Sequence, residues 1–487
     1  MFETLSNLDL TWLYRCLMIL YGATIVAIIG IILSENRSPV KSLAWVTVLL
    51  LLPLVGIILY LFFGRNIKNT HMISRRNRRK LRRREKRYPF DPKTSGLTRE
   101  SLQEITLAHS LTGAQLYPDN SIEIFTSGSE KFESLFRDIE AARHYINIQY
   151  YIIEDDNIGS RLASALIAKA AQGVSVRIIY DHVGSFSVSS SFFKHLRNNG
   201  VQAYPFFKVS FPQLGTRINW RNHRKVCVID GAVGYIGGMN VADRYIDGGK
   251  FPCWHDTHLR VCGPVVSALQ YSFAVDWNFM GKPLIEEITP RPHPGIFAPG
   301  PGAVRGVSAQ LLTSGPTSQW SNIALALHKA IANARRRVFI QTPYFLPTEG
   351  LFKALCTAAL SNVDVRIMIP LKSDSLMLTH ASASYFAECL RAGIKFYTYK
   401  AGMLHSKTII VDNEFVSVGS TNFDFRSFEY NFEANLLLYS RELNERMTEE
   451  FRRDLESCDR ITPSQWRKRP IVNKTIESII RLLSPIL

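Results

Sequence analysis

The chain has 487 residues, of which 46% are hydrophobic and 20% charged, and a formal net charge of +17. That length accommodates two domains plus a membrane segment and excludes a small disulfide-stapled scaffold. The seven cysteines are odd in number and form no C-x-x-C pair, which argues against a disulfide framework or a zinc site and for a reducing compartment.

Two uncharged runs open the chain: 18 residues from Cys16 to Leu33 and 21 from Leu43 to Phe63. Both meet the length of a transmembrane helix, and Pro53 inside the second is tolerable there. A cleaved signal peptide fits poorly, since Glu3 and Asp9 oppose a single Arg15 and no small-x-small site closes the run before Glu35. Arg65 to Arg87 then carries 12 Lys or Arg and one acid, Glu85, for a net +11, leaving +6 for everything else. The positive-inside rule puts this tract, both termini and all that follows Gly64 in the cytoplasm. The tract serves either as a topology signal or as a holder of anionic lipid. Because the basicity is local, it is weak evidence for nucleic acid.

Tyr88 to Tyr117 reads as a polar linker with a short helical stretch. Two similar halves follow. In the first, Tyr145 to Ile153 is a strand, Arg161 to Ala171 a helix and Gly173 to Asp181 a turn and strand. In the second, the corresponding segments are Val338 to Phe345, Leu351 to Leu360 and Val363 to Pro370. Alternating strands and helices imply an α/β fold with a mixed, mainly parallel sheet covered by helices. The expected organisation is a membrane hairpin (1–70), a basic linker (71–117), a first half (118–288), a Pro/Gly linker (289–302) and a second half (303–487). The apolar end, Ile471 to Leu487, is either an interfacial membrane helix or a helix packed on the core.

Each half carries one H-x-K-x4-D motif: His223, Lys225 and Asp230, then His405, Lys407 and Asp412. Each is followed, at the same offsets, by a small-residue turn ending in Asn: Gly237-Gly238-Met239-Asn240 and Gly419-Ser420-Thr421-Asn422. The run Arg224 to Ile229 reads as a strand, on which His223 and Lys225 share one face and Asp230 does not. The same parity separates His405 and Lys407 from Asp412. All six are candidates for the catalytic set, and the two Asp are better read as structural, orienting the Lys or closing the strand end. A doubled set of His, Lys and Asn is what phosphodiester exchange requires. One imidazole attacks phosphorus, the other protonates the leaving oxygen, and the Lys and Asn neutralise the remaining oxygens, with Gly238 and Ser420 beside the substrate. No metal or cofactor is expected.

The doubled motif with its G-[GS]-x-N turns resembles the phospholipase D superfamily. The flanks Arg217 to His223, Gln149-Tyr150-Tyr151, Gln341 to Phe345, Trp254-His255-Asp256 and Asn431-Phe432-Glu433 are similar to those of bacterial cardiolipin synthases, and the resemblance covers essentially the whole chain. It implies two phospholipase D-like halves about a pseudo-twofold axis, and an acid that hydrogen-bonds and orients each motif His. Asp256, 33 residues after His223, and Glu433, 28 after His405, take that role. It further implies an inner-membrane phosphatidyltransferase that joins two phosphatidylglycerols into cardiolipin, releasing glycerol, through a phosphohistidine on the first His. Phosphatidylglycerol and anionic lipids are the expected partners, with no nucleic acid. The same residues also suit a hydrolase with water as acceptor, a transferase with serine, or a nuclease. Two membrane runs argue against the nuclease, and two intact motifs argue against a non-enzymatic scaffold.

Overall fold

The computed structural model describes residues 11–34, 39–60, 71–84, 96–208, 219–285 and 297–483. The chain divides into two compact units, Met1–Asn66 with Val209–Asn219, and Ile67–Lys208 with Trp220–Leu487.

In the first unit, the helix Thr11–Ser34 contains one stretch, Tyr14–Ile32, long and apolar enough to cross a membrane. The second apolar run is not a single helix. It forms Pro39–Leu51 and Pro53–Leu59, broken at Leu52, because Pro53 offers no N–H and drives the preceding residue out of the helical region. The end of that run, residues 61–63, lies outside the described residues. Ile28 and Ile32 pack with Leu49 and Tyr60.

Among the described residues of the second unit, 15 strands form one continuous sheet. Its centre is the antiparallel pair Tyr117–Phe125 and Val304–Ser314. From there the same succession runs outward on both sides. On the first side come His258–Cys262, Val233–Gly237, Val226–Ile229, Tyr145–Tyr150, Ser175–Asp181 and Gln202–Phe206. On the second come Glu433–Tyr439, Phe415–Gly419, Thr408–Val411, Arg337–Gln341, Asp364–Pro370 and Lys395–Tyr399, with Cys458–Ile461 added at the edge. Only the outer three strands of each succession run parallel. The expectation of a mainly parallel sheet therefore fails at the centre, where short turns such as Asp230–Ala232 join antiparallel neighbours.

Helices cover the faces because their apolar residues recur with helical period. Phe132, Leu135, Phe136 and Ile139 of Gly128–Ala141 fill one core cluster, and Ile323, Leu327 and Ile331 of Asn322–Asn333 fill another. The basic tract is not merely a linker. Its helix Arg75–Arg84 buries Leu81 beside Ile73, Phe273 and Trp277, and Arg82 donates to the Thr112 carbonyl at 3.1 Å. The Pro/Gly segment is described only from Phe297 onward, where Phe297 is buried in the first-side core and Gly300 N–H donates to Glu123 at 2.9 Å. The C-terminal helix Ile471–Leu483 packs on the protein through Ile480.

Candidate functional site

Each motif segment pairs with a backbone segment of the other succession. His223 N–H donates to the Phe432 carbonyl at 2.9 Å, and Phe432 N–H to the Arg221 carbonyl at 2.8 Å. In the mirror arrangement, Met403–Leu404 runs parallel to Trp254–His255, and His405 N–H donates to the His255 carbonyl at 2.7 Å. Each motif His is thus stitched to the acid-bearing segment of the other side.

The side chains follow the backbone. His223 Nδ1 lies 2.9 Å from Glu433 Oε1, and His405 Nδ1 lies 2.6 Å from Asp256 Oδ2. Both acids contact a motif His within hydrogen-bond distance, and the pairing crosses the two sides. The carboxylate on Nδ1 fixes the tautomer and presents Nε2 for chemistry. Both His line one cavity of about 700 Å³, with Asn240 and Asn422 beside them.

Burial pushes both imidazoles below their ordinary value. Glu433 opposes this at His223, where Lys225 adds to it. At His405 burial and Lys407, against Asp256, bring the value down to about 4. Burial likewise lowers Lys225 and Lys407 against the opposing pull of Glu433 and Asp256. Asp256 is raised by burial, but Lys407 and His405 outweigh that and hold it below the usual carboxylate range. A phosphodiester anion placed between the imidazoles would oppose the effect of burial and favour the protonated form of the one that acts as acid.

The remaining sequence candidates divide. Lys225 Nζ donates to the His223 carbonyl at 2.6 Å and Lys407 Nζ to that of His405, and neither Lys is among the residues that line the cavity. Asn240 donates to the Tyr245 hydroxyl at 2.7 Å, while Asn422 Oδ1 is buried without a hydrogen-bond partner. Asp230 and Asp412 are not at the cavity. Asp230 accepts from the N–H groups of Arg143, His144 and Tyr145, and Asp412 from those of Arg335, Arg336 and Arg337. Both sit at positive φ, 52° and 49°, and close the strand ends rather than orienting the Lys. Gly238 and Ser420 do not line the cavity either. A Cβ on Gly238 would lie 2.0 Å from Asp256 Oδ1, and Ser420 Oγ donates to Glu433. The two small residues seat the orienting acids.

Several cavity residues escaped the motif reading. Arg221, Arg244, Lys250 and Arg426 give the lining its positive charge, against Asp374 and Asp424. Trp254 lies 5.3 Å from the His405 ring and Tyr151 5.0 Å from the His223 ring, centroid to centroid. Arg221, Tyr151 and Trp254 lie in the flanks Arg217 to His223, Gln149 to Tyr151 and Trp254 to Asp256. Asp374 lies in a loop and Arg426 in the five-residue helix Phe425–Glu429, segments too short for their sequence to show a period. Among the described residues no cluster of three or more His, Cys, Asp or Glu is placed to hold a metal ion.

The family model described as "Cardiolipin synthase, PLD-like domain" matches twice, at residues 135–249 and 327–455, and that of the "Phospholipase_D-nuclease N-terminal" segment matches residues 22–65. A cardiolipin synthase of Listeria monocytogenes serotype 4b (strain CLIP80459) is 39% identical over 466 residues, 93% of this chain and 95% of that one. The major cardiolipin synthase ClsA of Bacillus subtilis (strain 168) is 39% identical over 480 residues, 97% of this chain and 98% of that one. The crystal structure of phosphatidylserine synthase from Haemophilus influenzae Rd KW20 superposes with a TM-score of 0.59 at 13% identity, over 79% of this chain and all of that one, which shows a shared fold. With its twice-matched catalytic domain and relatives aligned over nearly its whole length, this chain belongs to the phospholipase D-type cardiolipin synthases, a family of phosphatidyltransferases.

Proposed function

We propose that the protein transfers a phosphatidyl group from one phosphatidylglycerol to another, making cardiolipin and glycerol through a covalent phosphohistidine. The observation that carries this reading is the pair of imidazoles in one cavity, each held at Nδ1 by a buried carboxylate. His223 Nε2 attacks phosphorus, the bond to the glycerol oxygen breaks, and His405 gives that oxygen its proton. The terminal hydroxyl of a second phosphatidylglycerol then returns a proton to His405 as its oxygen displaces His223. Lys225, Lys407, Asn240 and Asn422 neutralise the other phosphorus oxygens during both steps. His223 as nucleophile comes from the family resemblance; the two sites are nearly alike.

The matching strand successions support a duplicated origin, with each half giving one motif to the shared site. The apolar N-terminal runs and the basic tract support a two-span hairpin with the catalytic unit in the cytoplasm. Purified protein given labelled phosphatidylglycerol alone is expected to form cardiolipin and free glycerol in equal amounts and to keep doing so in EDTA. Phosphatidic acid as the main product would make it a hydrolase. Product with inverted configuration at phosphorus, and no label trapped on protein by rapid quenching, would reject the covalent step.

A further inference from the structure

The helix Ile471–Leu483 uses one face and leaves another bare. Its inner face is fixed by Glu477, which accepts from Arg469 at 2.8 Å, and by Ile480, which, like Leu378, packs against the cluster of Tyr344, Leu346 and Ala381. Arg481 completes it, 3.6 Å from Glu388 on the helix Leu376–Ala392. At about 100° per residue, Val472, Ile476 and Ile479 form a single stripe on the other side. All three are exposed, as is Ile471 at 77%. The neighbouring helix extends the surface. Leu376 is 79% exposed, Met377 is exposed, and the next residue, Leu378, lines the catalytic cavity. Arg467 and Lys468, both exposed, precede the C-terminal helix.

We propose that this face docks into the interfacial layer of the anionic bilayer that holds the substrate, so that headgroups enter the cavity from the leaflet. Exposed aliphatic side chains bordered by cations, running to the rim of a cavity with a positively charged lining, match an anionic lipid interface in both of its parts. A second copy of the chain is the poorer partner. A twofold contact here would bring Arg467 and Lys468 against their own equivalents, whereas anionic lipid offers the opposite charge. The inference rests on the proposed lipid substrate, so the first arm of its test does not use activity.

The full-length protein, with Cys16→Ser to remove an exposed thiol, is placed in phosphatidylglycerol-containing vesicles with a fluorophore on Val472→Cys, Ile479→Cys or, as a control, Lys194→Cys. Lipids brominated on the acyl chain are expected to quench the first two positions and spare the third. Absence of quenching at 472 and 479 overturns the proposal. So does a signal that follows protein density instead of bromination, which would mark a contact between copies. In the second arm, Val472→Asp with Ile479→Asp is expected to lower turnover of vesicle phosphatidylglycerol about tenfold. Turnover of a short-chain, monomeric phosphatidylglycerol should stay within about twofold of the parent. Equal loss on both substrates overturns the proposal.

Discussion

Replacing one carboxylate at a time should separate the two imidazoles. Asp256→Asn preserves the size of the side chain but removes the charge that lies 2.6 Å from His405 Nδ1. A hydrogen bond to a charged group contributes about 1.5–3 kcal/mol, or roughly 10- to 150-fold in rate. Loss of tautomer control extends the upper end towards about 10⁴-fold, as when the Asp of a Ser-His-Asp triad becomes Asn. The assay compares two donors. Phosphatidylglycerol needs its leaving glycerol protonated, whereas a p-nitrophenyl phosphatidyl ester releases a stable anion. With His405 as the acid, Asp256→Asn should lose at least about tenfold on phosphatidylglycerol and leave the nitrophenol burst nearly intact. Glu433→Gln, acting on the nucleophile His223, should slow both. An exchange of the two patterns would mean that the roles are reversed and the crossed pairing stands. Losses that are equal for both variants on both donors would refute the reasoning, because neither acid would then belong to one imidazole.

Gly238→Ala places a methyl 2.0 Å from Asp256 Oδ1, so activity should fall about 10- to 100-fold with the circular dichroism spectrum unchanged. Asp230→Ala leaves three backbone N–H groups without their acceptor and should cost about 2–4 kcal/mol, read as a lower unfolding midpoint in detergent, while the folded fraction keeps its turnover number. Because burial holds His223 below its ordinary value, the neutral nucleophile persists to lower pH, and the acid limb of the kcat/KM profile should fall below pH 6.5, the ordinary value of a free His. Glu104, on the helix Arg99–Thr112, is pushed by burial, against Lys329, from 4.5 up to about 8, and neither carboxyl oxygen has a hydrogen-bond partner. The folded protein then holds a proton that the unfolded chain releases between those values. Stability should decline as pH rises through that window, and Glu104→Gln should flatten the decline in a pH series of thermal midpoints.

The chemistry was legible because it is written locally. A single residue between His223 and Lys225, and between His405 and Lys407, puts both side chains on one face of a strand, and parity alone separated Asp230 and Asp412 from them. The crossed acids were not legible. Glu433 reaches His223 across 210 positions and Asp256 reaches His405 across 149, and no local period encodes such a pairing. Gly238 and Ser420 misled because a small residue before an Asn resembles a phosphate-cradling turn. Only the packed structure shows that a carboxylate fills the space above Gly238. The break at Leu52 could be read from Pro53, yet hydropathy ran straight through it. The antiparallel centre of the sheet depends on strands far apart in sequence, Tyr117–Phe125 and Val304–Ser314, whose pairing neither segment announces.

One polypeptide carries both sides of the site, so corresponding positions need not be identical. Below one imidazole stands a glycine with a short acid, Gly238 with Asp256; below the other stands a serine with a longer acid, Ser420 with Glu433. Two identical chains meeting about a true twofold axis would be bound to the same choice in both places. Covalent continuity removes that constraint. Selection can adjust one acid for the departing alcohol and the other for the attacked phosphorus, and a mutation that sharpens one role need not blunt its counterpart.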